Sequence, residues 1–358
     1  MGHELSHDVI ESWFCLMDLE WKWVNAVVPK MTQKLLRRYS LLLMIRQMQP
    51  VGRRSLAETL ELTERTVRTD LDSLLDNGLI SMQAKGVWLT DDGQKAVKNL
   101  QPLVENLAGI RKKESLLKAR LGLRGCQIVP GDCDDRPDVK TSMGKATDEL
   151  LRQQLPAGES IVAVMGGTTM AAVAGTLSET LADNRQLTFV PARGGMGESP
   201  AIQANTVCAR MAEVTDSHYQ ALYLPELSSE STSSSLRREP MIAKTLNMID
   251  HANVAIHCVA DAMAMAKRRQ MPDEDTAVLE QRHAVGEAFG DFFDQDGQIV
   301  YRVPKLGLSI ADLDRMDLVV AVAGGHSKAA AVEAYFQIPP AESFLVTDEG
   351  LADTILKK

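Results

Sequence analysis

Residues 55–90 read SLAETLELTERTVRTDLDSLLDNGLISMQAKGVWLT, and this stretch decides the fold of the first part of the chain. Ser55 precedes Glu58 by three residues, the capping-box spacing in which two side chains satisfy orphan backbone N–H groups. A short helix is therefore expected from Leu56 to about Leu62. Thr63 can cap a second helix, Glu64 to Asn77, whose apolar face is Val67, Leu71, Leu74 and Leu75, with Gly78 as its stop. Leu79 to Thr90 then reads as two short strands around a Lys85-Gly86 turn. Upstream, Met31 to Met48 has helical apolar spacing at 35, 36, 42, 43 and 45, with Arg37, Arg38 and Arg46 between, and Gln49-Pro50-Val51-Gly52 ends it. Three helices followed by a hairpin describe a winged helix-turn-helix.

On the third helix Glu64, Arg65, Arg68 and Thr69 point outward near the N-terminus, where a recognition helix needs long cationic and hydroxyl side chains to reach base edges and phosphates. Arg53 and Arg54, just before the second helix, are placed to hold the DNA backbone. The competing reading is a three-helix packing module with solvated arginines. Charge separates the two. The net charge of −9 conceals a division: residues 1–29 carry −4, residues 30–125 carry +8, and the remainder carries −13. A basic segment on an acidic body suits a chain in which one part meets a polyanion and the other must not adhere to it.

The 358 residues allow two or three domains. With 45% hydrophobic and 24% charged residues, and no apolar run of membrane-spanning length, the composition is that of a soluble globular protein. No secretory signal opens it, and five scattered cysteines (Cys15, Cys126, Cys133, Cys208, Cys258) show neither disulfide nor zinc spacing, so a reducing cytoplasm is expected. Residues 91–121 continue helically, with Leu100, Leu107 and Leu121 at one heptad position and Leu103, Ile110 and Leu117 at the other. Such a helix either pairs with a second copy, fixing the spacing of two recognition helices, or packs on its own chain.

From about Cys126 the pattern becomes short apolar runs alternating with helical stretches: Gln127–Val129, Ile161–Met165, Leu187–Val190, Leu222–Leu224, Val254–Cys258, Leu318–Val322 and Phe344–Val346. This predicts a mostly parallel, doubly wound sheet with ligands beyond the carboxyl ends of its strands. Asp294 to Arg302, turning at Asp296-Gly297, is an expected hairpin insertion. Ile161–Met165 runs into Gly166-Gly167-Thr168-Thr169 and a helix expected from Met170 to Leu181, a convergence of N–H groups, hydroxyls and helix dipole that suits phosphate. Leu318–Val322 runs into Ala323-Gly324-Gly325-His326-Ser327-Lys328, where a cation in the first helical turn calls for a second anion. Leu187–Val190 ends at Pro191-Ala192-Arg193, adding a side chain suited to bidentate phosphate recognition. Neither glycine loop matches a nucleotide fingerprint. His218, His251, His257 and His283 show no metal-ligand spacing, so no metal is expected.

The motifs V-x-G-G-T-T (Val164–Thr169), P-A-R-G-G (Pro191–Gly195), Q-A-N-T (Gln203–Thr206), G-E-A-F-G (Gly286–Gly290) and A-G-G-x-S-K-A (Ala323–Ala329), behind a winged helix, resemble the SorC family of bacterial transcriptional regulators. The likeness runs from about Met17 to the C-terminus. Residues 1–16 and His326, where a small residue is more usual, depart from it, and the native start is expected at Met17. The resemblance implies an effector domain like sugar-phosphate isomerases and deaminases. It also implies repression of a glycolytic operon, operator binding as a homotetramer or dimer, and release by fructose 1,6-bisphosphate or a related phosphosugar, with no cofactor. By the same resemblance Gly166, Gly167, Thr168, Thr169, Arg193, Gln203, Arg268, Glu287 and Lys328 hold the effector, Glu287 on a sugar hydroxyl. The expected organisation is an extension (1–29), a winged helix (30–92), a linker and oligomerisation helix (93–124) and an α/β effector domain (125–358). Two other classes use part of this pattern. An isomerase or deaminase shares the phosphate loops but needs a positioned acid and base, and a scaffold needs neither loops nor Arg193.

Overall fold

The computed structural model describes residues 31–83, 85–107, 109–195, 199–224, 235–338 and 343–357. The extension at residues 1–29 and the expected start at Met17 lie outside them. The chain divides into two compact units between Gly109 and Ile110.

The first unit contains α1 (Met31–Met48), α2 (Arg53–Thr59), α3 (Glu64–Asp76), the hairpin β1 (Ile80–Gln83) and β2 (Gly86–Leu89), and α4 (Asp91–Leu107). The strands pair antiparallel, Ile80 opposite Leu89 and Gln83 opposite Gly86. Leu41, Ile45, Leu56, Val67, Leu71 and Val97 are fully buried in one core, each stabilising the fold by about 1.5 to 3 kcal/mol. Two expectations are corrected. The Ser55 capping box does not form: Leu56 N–H donates to Gly52 O at 3.1 Å, so α2 starts on Gly52 without a side-chain cap, and Arg53 and Arg54 stand in its first turn. Leu75 is exposed, and the buried fourth member of the α3 face is Asp70.

The expected continuous helix over 91–121 is also corrected. It ends at Leu107, Gly109 takes φ +71°, and α5 (Ile110–Leu121) begins anew. Val97 and Val104 of α4 are buried in the core of the first unit, whereas Ile110, Leu117 and Leu121 of α5 are buried in the second. Those apolar positions thus pack on their own chain, because each half-helix finds an apolar core of its own.

In the second unit a seven-stranded sheet has the order β3 (Gly125–Val129), β13 (Phe344–Asp348), β12 (Leu318–Val322), β7 (Val254–His257), β4 (Gly158–Val164), β5 (Arg185–Pro191) and β6 (His218–Tyr219). Every neighbouring pair is parallel. Strand order reverses between β4 and β7, the place where such sheets open a crevice. Connecting segments carry α6 (Val139–Gln154), α7 (Thr168–Ala174), α8 (Ala204–Val214), α9 (Pro240–Asp250), α10 (Ala262–Arg268), α11 (Asp273–Gln281), α12 (Ala329–Tyr335) and α13 (Glu349–Leu356).

The expected strand at Leu222–Leu224 is not one. Asn205 holds both backbone groups of Leu222, at 2.9 Å each, so the segment has no free edge for a ladder, and β6 lies earlier. The helix after Gly167 spans only Thr168–Ala174 and gives way to a 3-10 turn at Glu179–Ala182. The expected hairpin exists as β10 (Asp291–Phe293) and β11 (Ile299–Arg302), turning at Gly297 with φ +75°. It belongs to a second, antiparallel sheet with β8 (Ala260–Asp261) and β9 (Gly286–Ala288), which alternation alone did not announce.

Candidate functional site

Two surfaces carry the chemistry, one in each unit. In the first, the Thr63 hydroxyl accepts from Thr66 N–H at 3.2 Å, the cap that starts α3. Glu64, Arg65, Arg68 and Thr69 are all exposed along its first two turns, as are Arg53 and Arg54 on α2, where Arg54 pairs loosely with Glu58. The Thr69 hydroxyl donates to Arg65 O at 3.0 Å. Asp70, 1% exposed, was missed by sequence reasoning: its carboxylate accepts Arg37 Nε at 2.6 Å and Arg38 Nε at 2.9 Å, tying α3 to α1. Burial alone would raise its carboxyl, but the hydrogen bonds and charges of the two arginines outweigh it, and the group lies below the usual carboxylate range. Its signal was available: Asp70 falls between Val67, Leu71 and Leu74 on the buried face.

In the second unit the sheet brings four loops to one edge. After β4, Gly166 and Gly167 lie against the segment before α8: Gly167 N–H donates to Ile202 O at 2.8 Å. A Cβ on Gly166 would stand 2.6 Å from Ile202 O and 2.9 Å from Ala204 N, so only glycine fits. Gly167 takes φ +122°. Thr169 is buried and Thr168 exposed. Gly166, Arg193, Gly195 and Gln203 line one small cleft. Arg193, 5% exposed, is fixed by a backbone bridge to Gly307.

Cys258 directly follows β7, its thiol 3.6 Å from Gly166 O. Sequence reasoning had taken it only as one of five scattered cysteines. Burial pushes this thiol up, Glu287 adds to that, and the charges of Lys328, Arg193 and Arg268 pull it partly back. Of the expected effector residues the cleft itself is lined by Gly166, Arg193 and Gln203. Glu287, 2% exposed on β9, accepts Arg269 Nη2 at 2.7 Å and the N–H of Gly290, so this carboxylate is already oriented by a buried arginine that the sequence did not single out. Lys305 also was missed. Its ammonium lies 2.7 Å from Asp291, and burial lowers its pKa against the attraction of Asp291 and Glu287. His257, fully buried, is held at a pKa of about 4 by desolvation, with Tyr335 Oη 3.0 Å from its Nε2.

Lys328 stands at the start of the helical segment after β12, as the sequence placed it. It is the last residue of a 3-10 turn, His326–Lys328, and the N-cap position of α12, without a side-chain cap, and it is half-buried. Asp134 faces the same turn, accepting Ser327 N–H at 2.9 Å, and Lys328 helps to lower its carboxyl. With Asp134 in the same turn, the lysine's place does not by itself call for a bound anion. His326, at the position departing from the family pattern, sits 2.7 Å from Asp132 Oδ2.

A glycine-cradled cleft with a buried arginine in one unit and an exposed cationic helix followed by a hairpin in the other define a ligand-responsive DNA-binding regulator. Residues 105–357 match the Sugar-bind family of sugar-binding domains and residues 35–104 the CggR N-terminal DNA-binding domain. The chain is 40% identical over 331 residues to the central glycolytic genes regulator of Priestia megaterium and 39% identical to that of Bacillus subtilis, covering 92% of this chain and 96% of each relative. A structure described as a SorC family transcriptional regulator from Enterococcus faecalis superposes with TM-score 0.66 at 42% identity, over 68% of this chain and 99% of that one. The full-length sorbitol operon regulator SorC of Klebsiella pneumoniae, at 17% identity and TM-score 0.63 over 88% of this chain and 98% of that one, shares the fold. The chain belongs to the SorC family of transcriptional regulators, with a CggR-type DNA-binding domain and a sugar-binding domain. It is a regulator rather than an enzyme, as its relatives are named. Among the described residues no helix is long and apolar enough to cross a membrane.

Proposed function

We propose that this protein represses glycolytic genes and is released from its operator by a phosphorylated sugar, fructose 1,6-bisphosphate foremost. The observation that carries the reading is the cleft lined by Gly166, the buried Arg193, Gly195 and Gln203, with Cys258 against Gly166, at the sheet's reversal point. Arg193 after β5, Arg268 at the end of α10 and Lys328 after β12, together with backbone N–H groups, suit a ligand with two anionic ends. Gly166, Gly167, Thr168, Thr169 and Gln203 complete the phosphate-binding set, and Glu287, presented by Arg269, takes a sugar hydroxyl. Arg53, Arg54, Glu64, Arg65, Arg68 and Thr69 meet the operator, the protein acting as a dimer or tetramer that spaces its recognition helices.

A useful effector must favour the DNA-released form by about 1 to 3 kcal/mol, and operator DNA must weaken effector binding by the same factor. Operator titration with and without fructose 1,6-bisphosphate tests the scheme. Lys328→Ala is expected to keep operator affinity and to need more effector for release. Release of that variant at the wild-type effector concentration would remove Lys328 from the site.

A further inference from the structure

Outside the anion cleft, the loops after β3 and β12 bring a second set of side chains together. Asp132 Oδ2 lies 2.7 Å, and Asp134 Oδ2 3.5 Å, from His326 Nδ1. One donor atom from each of the three residues falls within 4.8 Å of the others. The two loops are aligned by the fully buried Asp348, whose Oδ2 accepts Cys133 N–H and Gly325 N–H at 2.8 Å each, the backbone groups adjoining the three side chains. Asp134 N–H donates to Asp132 Oδ1 at 2.9 Å and Ser327 N–H to Asp134 Oδ2 at 2.9 Å, so both carboxylates are oriented before anything binds. A side chain on Gly325 would collide with Asp134 and one on Gly350 with Asp132; the chain keeps these two positions clear.

Charge does not balance within the set. Asp132 and Asp134, with Asp135 beside them, face one imidazole, and even a protonated His326 leaves the Asp132–Asp134–His326 group net negative. A carboxylate retains lone pairs after accepting one or two hydrogen bonds. The His326 side chain is 54% exposed, leaving an approach from solvent. Two carboxylates and a neutral imidazole match the charge of one divalent cation, and the imidazole nitrogen shifts preference from magnesium toward first-row transition ions.

We propose that Asp132, Asp134 and His326 form a binding site for a divalent transition cation, Mn²⁺ or Zn²⁺ in preference to Mg²⁺. None of its three ligands is among the residues assigned to the effector, although His326 and Lys328 share one turn, and its test uses metal without any sugar, so it can fail or hold independently of the sugar-phosphate reading.

The experiment is calorimetric titration of Mn²⁺ into the full chain after stripping with chelator, repeated for His326→Ala, Asp134→Asn and with Mg²⁺. All three side chains are partly or largely exposed, and urea unfolding in metal-free buffer checks that each variant keeps its fold. Saturable binding near one ion per chain, weakened by about tenfold or more in each variant, is expected. Mg²⁺ should bind more weakly than Mn²⁺. Absence of saturable Mn²⁺ binding to the wild type overturns the proposal. So does unchanged affinity in the two variants, which would reduce the cluster to a histidine–aspartate ion pair.

Discussion

Removing the Asp70 carboxylate should loosen the DNA-binding unit by an amount that the geometry sets. Asp70→Ala deletes two charge-assisted hydrogen bonds, from Arg37 at 2.6 Å and Arg38 at 2.9 Å, each worth about 1.5 to 3 kcal/mol when the acceptor is buried. Breaking a fully buried pair costs about 3 to 5 kcal/mol. Here the arginine side chains are 33% and 24% exposed, so the stranded guanidinium groups regain water, and about 3 kcal/mol is expected. Asp70→Asn, which keeps an acceptor and the shape, should lose roughly half of that. Trp88 on β2 is the one tryptophan among the described residues, so urea unfolding followed by its fluorescence reports this unit. At an m value of about 1 to 3 kcal/mol/M, the Ala variant should unfold about 1 to 3 M earlier. Because the folded carboxyl is depressed, its contribution is present above the ordinary aspartate pKa and lost as pH falls through the lower folded value. The exposed control Asp72→Ala should stay within about 0.5 kcal/mol of wild type. If Asp70→Ala were equally silent, the clamp between α1 and α3 would carry no stability and the reasoning would fail.

Arg68→Ala should weaken specific operator binding by about 1 to 3 kcal/mol if the side chain reaches a base; unchanged affinity in both the Arg68 and Arg65 variants would remove α3 from recognition. Gly166→Ala should displace the Ile202–Ala204 backbone and abolish effector response while leaving operator binding intact; a normal effector titration in that variant would contradict the tight approach. His257, neutral in its buried site at a pKa of about 4, has an ordinary value near 6.5, so the stability of the second unit should be full above pH 6.5 and fall as the pH drops toward 4. The loss should reach about 3 kcal/mol by linkage, and His257→Gln should flatten this slope in calorimetric scans between those limits. Tyr335→Phe should cost about 1 to 3 kcal/mol, since it leaves a ring nitrogen of His257 buried without its hydroxyl partner; an unchanged unfolding midpoint would rule that bond out.

Local signals were sufficient wherever the physics is local. Thr63 caps α3 and Gly78 follows it, the Lys85-Gly86 turn makes the wing, and the Gly166-Gly167 and Gly324-Gly325 loops end strands β4 and β12, all legible from spacing and residue type. The outward face of α3 was legible because a capped amphipathic helix fixes which side chains remain in water. Tertiary structure decided what depends on distant partners. Asp70 falls on the apolar face of α3 in the sequence, but its partners Arg37 and Arg38, more than thirty residues away, are delivered only by the packing of α1. Residues 91–121 keep one helical period, yet two cores compete for their apolar side chains and the chain breaks at Gly109. Gly52 overrode the Ser55 box because its carbonyl already accepts the first helical hydrogen bond. Asp132, Asp134, Cys258 and His326 follow strands β3, β7 and β12, and only the strand order β3-β13-β12-β7-β4-β5-β6 brings those loops to one edge, while Arg269 and Lys305 meet Glu287 and Asp291 through the second sheet. Sequence spacing fixes neighbours a few residues apart; side chains far apart along the chain meet only when burial and hydrogen bonding have chosen the order of the strands.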